Sequence, residues 1–201
     1  MIDHEKNRDS LLRLLAQLSF KLGDFTLSSG AKSDYYIDCR TTTLHAEGGR
    51  LSGLVLYHML LEHDIHAEAV GGLTMGADPL VSNLASTSAW RALDDARSPL
   101  IHGFLVRKSE KTHGTARRIE GFSQPGARVV IVDDVCTTGG STITAIEAAR
   151  EAGMNVVAVF CLVERQEHNG RPAVEAAAHP APFIAAFTAD DVRRAHLALV
   201  K

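Results

Sequence analysis

Leu11, Leu14, Leu15 and Leu18 recur at i, i+3, i+4 and i+7, a period that predicts a helix over residues 4–19. An aromatic-rich extended stretch follows over 25–38, with Gly23 and Gly30 punctuating it. A second helix is predicted over 47–62, turning Leu51, Leu54, Val55 and Met59 inward. Ala69-Val70-Gly71-Gly72 reads as a short strand entering a glycine turn. At Asp78-Pro79 the acid is expected to cap, and the proline to open, a helix running to about residue 88. Its apolar face would be Leu80, Val81, Leu84 and Ala85. Next come a strand over 101–106, a polar basic stretch over 107–120 and a strand over 128–132. A helix over 141–152 should stop at Gly153. The run 156–163 is apolar on both faces, as a central parallel strand is. Residues 170–182 are rich in Ala and Pro, 183–187 form a last strand, and Thr188 opens a C-terminal helix. Strands alternating with helices predict an α/β fold, a mostly parallel sheet with helices on both faces. No repeat or interior linker divides residues 1–201, so a single domain is expected.

Composition narrows the classes. Hydrophobic residues are 45% of 201 and charged residues 22%, which excludes a disordered or fibrous chain. The net charge of −3 carries no global basic field, so neither nucleic acid nor membrane is expected as a partner. The longest apolar run falls far short of the roughly 18 residues of a membrane span. The polar start MIDHEKNRDS predicts no secretory leader. Cys39, Cys136 and Cys161 are odd in number and widely spaced, which points to a reduced, cytoplasmic chain without disulfide or zinc.

Chemistry concentrates in Val129-Val130-Ile131-Val132-Asp133-Asp134-Val135-Cys136-Thr137-Thr138-Gly139-Gly140-Ser141-Thr142. Four apolar β-formers end in two carboxylates, then a turn of hydroxyls and glycines, then a helix. Ligands of open parallel sheets sit at the carboxyl ends of strands, where Asp133 and Asp134 emerge. Glycine lets backbone N–H groups converge, Thr137, Thr138 and Ser141 add hydroxyls, and the helix N-terminus adds positive charge. Together they make a seat for a phosphate. No GxxxxGK[ST] is present, so this is not a P-loop. Carboxylates beside a phosphate seat suit a sugar phosphate, whose hydroxyls and divalent metal they can hold. The plain alternative is a solvated turn, but adjacent acids at a buried strand end are costly without a ligand.

This run resembles the phosphoribosyl-pyrophosphate motif of type I phosphoribosyltransferases. Three further segments are similar to the orotate phosphoribosyltransferase family, and a fourth matches it at a strand end. Lys21 through Asp38, with Phe25, Gly30, Ser33, Tyr35 and Tyr36, resembles the N-terminal hood, to which residues about 1–40 would contribute. Gly71-Gly72-Leu73-Thr74-Met75-Gly76-Ala77-Asp78-Pro79 resembles the pyrophosphate-side loop. Phe104 through Gly114 resembles the mobile catalytic loop, and Leu162-Val163-Glu164-Arg165 the strand end that faces the base. These matches run in order across residues 20 to 166. Two positions depart from the pattern: Ser28 and Met75 stand where some members carry lysine.

The resemblance implies transfer of a phosphoribosyl group from 5-phosphoribosyl 1-diphosphate to orotate, in pyrimidine synthesis. It implies catalytic roles for Lys111, His113, Asp133 and Asp134. Contacts to the sugar diphosphate fall to Arg107, Lys108, Lys111, His113, Asp133, Asp134, Val135, Cys136, Thr137, Thr138, Gly139, Gly140 and Ser141. Contacts to orotate fall to Thr137, Arg165 and, more weakly, Tyr36. His113 could protonate the leaving group or simply donate a hydrogen bond, and the other nine histidines read as surface residues. Cys136 has no neighbouring base in the sequence that would make it a nucleophile. Magnesium is the expected cofactor, held mainly through substrate with no direct protein ligand. A homodimer that shares its active-site loop is implied as well. Two rivals stand beside this reading. A purine-salvage transferase would lack the hood segment, and an RNA-binding regulator would show a basic face outside the loop.

Overall fold

The computed structural model describes residues 4–26, 32–108 and 118–200. Helix α1 (His4–Leu14) ends one turn early, because Leu15–Ser19 widen into a π-helical turn. The wider turn carries Leu15, Ala16 and Ser19 inward together, and the Ser19 hydroxyl bonds that of Thr42 at 2.6 Å. A hairpin of β1 (Phe20–Thr26) and β2 (Lys32–Ile37) forms the hood, its strands antiparallel with Phe20 opposite Ile37. The extended stretch therefore begins five residues before the aromatic pattern starts.

The short helix α2 (Arg40–Thr43) leads into α3 (Ala46–Glu62), whose first turn is capped by His45 accepting from the Gly48 N–H. Strand β3 (Ala69–Leu73) precedes α4 (Asp78–Asp94), which continues six residues past the expected end. Asp78 is not its cap. Ala77 holds that position, and Asp78 in the first turn accepts from the Thr74 hydroxyl at 2.7 Å. Then come β4 (His102–Val106) and the unforeseen β5 (Ile119–Gly121), antiparallel to it. Next are β6 (Arg128–Cys136), α5 (Gly140–Glu151), β7 (Asn155–Glu164), α6 (Gly170–Ala178), β8 (Phe183–Thr188) and α7 (Ala189–Leu199). The main sheet has the order β5-β4-β3-β6-β7-β8, and all its pairs except β4–β5 are parallel.

Alternation along β6 divides the core in two. Val130 and Val132 pack with α1, α3 and α4, while Val129 and Ile131 pack against Ala145, Ile146 and Ala149 of α5. As the sequence predicts, Thr188 caps α7, in a capping box with Asp191. Helix α7 then ties down the hood: Arg193 pairs with Asp34 at 2.6 Å, and the His196 ring meets the Ala16 carbonyl at 2.8 Å. His196 and His45 are thus structural, not merely surface residues.

Candidate active site

Strands β3, β4, β6, β7 and β8 run in one direction, so their carboxyl ends share one edge of the sheet. Strand β6 continues through both acids to Cys136, so Asp133 and Asp134 belong to the strand and the loop is only Thr137 to Gly139. Neighbouring strand residues point to opposite faces. Asp133 takes the α5 side, is only 7% exposed, and accepts from the Thr142 hydroxyl. Asp134 takes the other side, where a Cβ added to Gly76 would sit 2.4 Å from its Oδ1. Only glycine lets the 74–77 turn come this close. Burial and the neighbouring Asp134 charge push the Asp133 carboxyl well up. Asp134 is also raised by burial, against the pull of the Val135 N–H and the Arg40 charge.

Beyond Cys136, Gly139 takes φ +81° at the N-cap of α5, with no side chain bonded across the helix end. The first-turn N–H groups of α5 therefore face the loop uncapped, an anion seat beside the acids. Gly170 closes the loop from below, since a Cβ there would lie 2.4 Å from the Thr137 carbonyl. Thr137 and Thr138 lie in this loop, Val135 lies near the end of the strand before it, and Gly140 and Ser141 open α5 after it. Cys136 is buried beneath it, and its carbonyl accepts from the Arg165 N–H at 2.9 Å, joining the motif to the end of β7.

Arg107 and Lys108 follow β4 at the same edge, and Arg107 pairs with Glu120 at 3.0 Å. Lys111, His113 and Ser28 lie outside the described residues. Arg165 is 4% exposed. Its Nε donates to the Tyr35 hydroxyl at 3.0 Å, its Nη2 donates to the Ser33 hydroxyl at 3.0 Å, and both approach Glu167 at 3.1 Å. Tyr36 faces outward at 39% exposure beside Phe25 (5.5 Å between ring centroids), whereas Tyr35 stacks on Phe20 in the core.

Sequence reasoning passed over four residues of this edge. Arg40 grips Asp38 through two hydrogen bonds of 2.9 Å and sets positive charge near Asp134. Thr142, Ser33 and Glu167 orient Asp133 and Arg165 as described. Ser33 lies within the hood match and Glu167 follows Arg165 by two residues, but neither spacing carries a motif.

Residues 103–176 match the phosphoribosyl transferase domain family. The orotate phosphoribosyltransferase of Streptomyces coelicolor is 42% identical over 185 residues, covering 92% of this chain and 96% of that protein. The Aquifex aeolicus orotate phosphoribosyltransferase is 42% identical, covering 84% and 88%. The chain belongs to the orotate phosphoribosyltransferase family. Solved structures agree with this. The Mycobacterium tuberculosis orotate phosphoribosyltransferase in complex with 5-phospho-alpha-D-ribosyl 1-diphosphate superposes with TM-score 0.70 at 30% identity, covering 93% of this chain and 92% of that one. A Corynebacterium diphtheriae phosphoribosyltransferase superposes with TM-score 0.76 at 34% identity, over 94% and 99%. In this orotate phosphoribosyltransferase Met75, in the turn after β3, is 73% exposed. Arg40, close enough to Asp134 to interact with its charge, and Arg107 and Lys108 after β4 put cationic side chains near this edge.

Proposed function

We propose that this carboxyl edge binds 5-phosphoribosyl 1-diphosphate on the Asp133–Ser141 segment and orotate beside Arg165. Orotate N1 attacks C1 of the sugar with inversion. The C1–O bond to diphosphate breaks, the N1 proton is lost, and orotidine 5′-monophosphate and diphosphate leave. The observation that supports this reading is the junction of the two strand ends: the Arg165 backbone N–H bonds the Cys136 carbonyl, so the backbone that carries Arg165 adjoins the end of β6 that opens the proposed phosphate seat. The uncapped first turn of α5 would hold the 5-phosphate, with the Thr137, Thr138 and Ser141 hydroxyls around it. Asp133 and Asp134 would hold the ribose hydroxyls, and positive charge developing on the ring would meet their carboxylates. Arg165 would pair with the orotate carboxylate, Thr137 would touch both ligands, and the exposed Tyr36 ring would pack near the pyrimidine.

Carboxylate oxygens are the donors a hard cation takes, so Asp133 and Asp134 fit magnesium chemically. Among the described residues no group of three or more His, Cys, Asp or Glu gathers; in this proposal the ion is held mainly through substrate oxygens. When bound, the ion supplies charge that neutralises the diphosphate. The three cysteines are free and buried, which supports a reducing, cytoplasmic setting. No helix among the described residues is long and apolar enough to cross a membrane.

The reading includes a homodimer in which the basic loop, with Arg107, Lys108, Lys111 and His113, serves the neighbour's site. Support comes from α4, whose outer face shows Ser82, Ser86, Ala89, Trp90 and Leu93 exposed at helical spacing. Mixing two inactive variants, Lys111→Ala and Asp134→Asn, tests it. After subunit exchange about half the dimers are mixed, and each has one intact site by two-fold symmetry. Orotate-dependent diphosphate release should recover to about a quarter of wild type. No recovery despite proven exchange rejects the shared site.

A further inference from the structure

Arg165 is a nearly buried cation held by three partners, each of which is itself oriented. A guanidinium only donates and a carboxylate only accepts, so the Tyr35 hydroxyl between them has one possible direction. It accepts from Arg165 Nε and donates to Glu167 Oε1. Ser33 repeats the pattern, accepting from Arg165 Nη2 and donating to the Tyr35 carbonyl at 2.8 Å. The Tyr35 ring lies 4.3 Å from the guanidinium carbon and is fixed in turn by its stack on Phe20. Both Arg165 nitrogens that approach Glu167 converge on the same oxygen, Oε1. Arg165 Nη1 is left without a protein acceptor among the described residues.

We propose that Tyr35 and Glu167 are positioning residues for base recognition: they clamp the Nε and Nη2 side of Arg165 and so aim Nη1 at the carboxylate of the incoming pyrimidine. The proposal rests on the reading that Arg165 meets orotate. Preorganisation is its physical content, because a long side chain fixed before binding loses less rotamer freedom when the ligand arrives. Burial and the Glu167 carboxylate both push the Tyr35 hydroxyl up, so it stays a protonated donor at neutral pH. Burial works against the Glu167 charge, but Tyr35 and Arg165 outweigh it and hold the carboxyl below its ordinary range. Since its useful contacts fall on one oxygen, the acceptor position matters more than the negative charge.

Steady-state kinetics on the intact enzyme tests this with four variants. Tyr35→Phe keeps the ring stack and removes only the hydroxyl; it should raise the orotate KM about tenfold, the scale of one hydrogen bond to a charged group. Glu167→Ala should do the same, and Glu167→Gln, which keeps an oxygen at Oε1, should stay within about threefold of wild type. In all three, kcat should stay within about threefold and the KM for the sugar diphosphate within about twofold. General structural damage would move both KM values together, and would overturn the proposal. So would Glu167→Gln behaving like Glu167→Ala. Arg165→Ala separates the levels. If it raises the orotate KM while Tyr35→Phe and Glu167→Ala do not, the positioning role is wrong and the orotate contact stands. If Arg165→Ala leaves the orotate KM unchanged, both fall.

Discussion

Asp134→Asn is expected to lower turnover by about a hundredfold or more while making the free protein more resistant to heat. The loss is on the scale of removing one charge-stabilising group from a transition state. The gain in stability follows from the same geometry. Burial raises both acids of the pair, so the folded protein holds their protons more tightly than the unfolded chain does. Stability then falls as pH rises from the unfolded carboxyl value of about 4 through the higher folded one, and the penalty is complete above it. Asparagine does not ionise and escapes that penalty. The melting temperature of the variant should therefore exceed that of wild type at pH 8, and the difference should shrink towards pH 4. A variant less stable than wild type at pH 8 contradicts the electrostatic account. Near-normal turnover by the double variant Asp133→Asn/Asp134→Asn contradicts the ligand role of the pair.

Arg165→Ala is expected to weaken orotate binding by about 1.5–3 kcal/mol, or roughly 10- to 150-fold, the range for a charge-assisted hydrogen bond. Affinity for the sugar diphosphate should barely change, because the proposed phosphate seat draws on Thr137 to Ser141 and the α5 N-terminus and not on the Arg165 side chain. Titration calorimetry with each substrate separates the two. Equal loss for both would place Arg165 in the common framework, not in the base pocket.

Much of this was legible in the sequence because local signals and tertiary packing agree. The β6–α5 segment is the clearest case: apolar β-formers, two acids, a glycine turn and a helix all want the same local structure. What stayed hidden depends on distant partners. The π turn at Leu15–Ser19 answers to Thr41 and Thr42, which no periodicity reports. The two acids look equivalent in sequence, yet strand alternation hands Asp133 to Thr142 and Asp134 to Gly76 and Arg40. Tyr35 and Tyr36 look interchangeable, and only the register of β2 sends the first to Arg165 and the second to solvent. The tail after residue 170 carries no motif, although α6 closes the Thr137–Gly139 loop and α7 anchors the hood.

Acceptor choice is the most direct test of the central claim. Purified enzyme with 5-phosphoribosyl 1-diphosphate and magnesium is offered orotate, uracil, hypoxanthine or adenine, and both diphosphate and the nucleotide product are measured. Orotate alone should give stoichiometric orotidine 5′-monophosphate and diphosphate, with turnover lost on chelation of the metal. Turnover of a purine in preference to orotate, or none with any base, would contradict it.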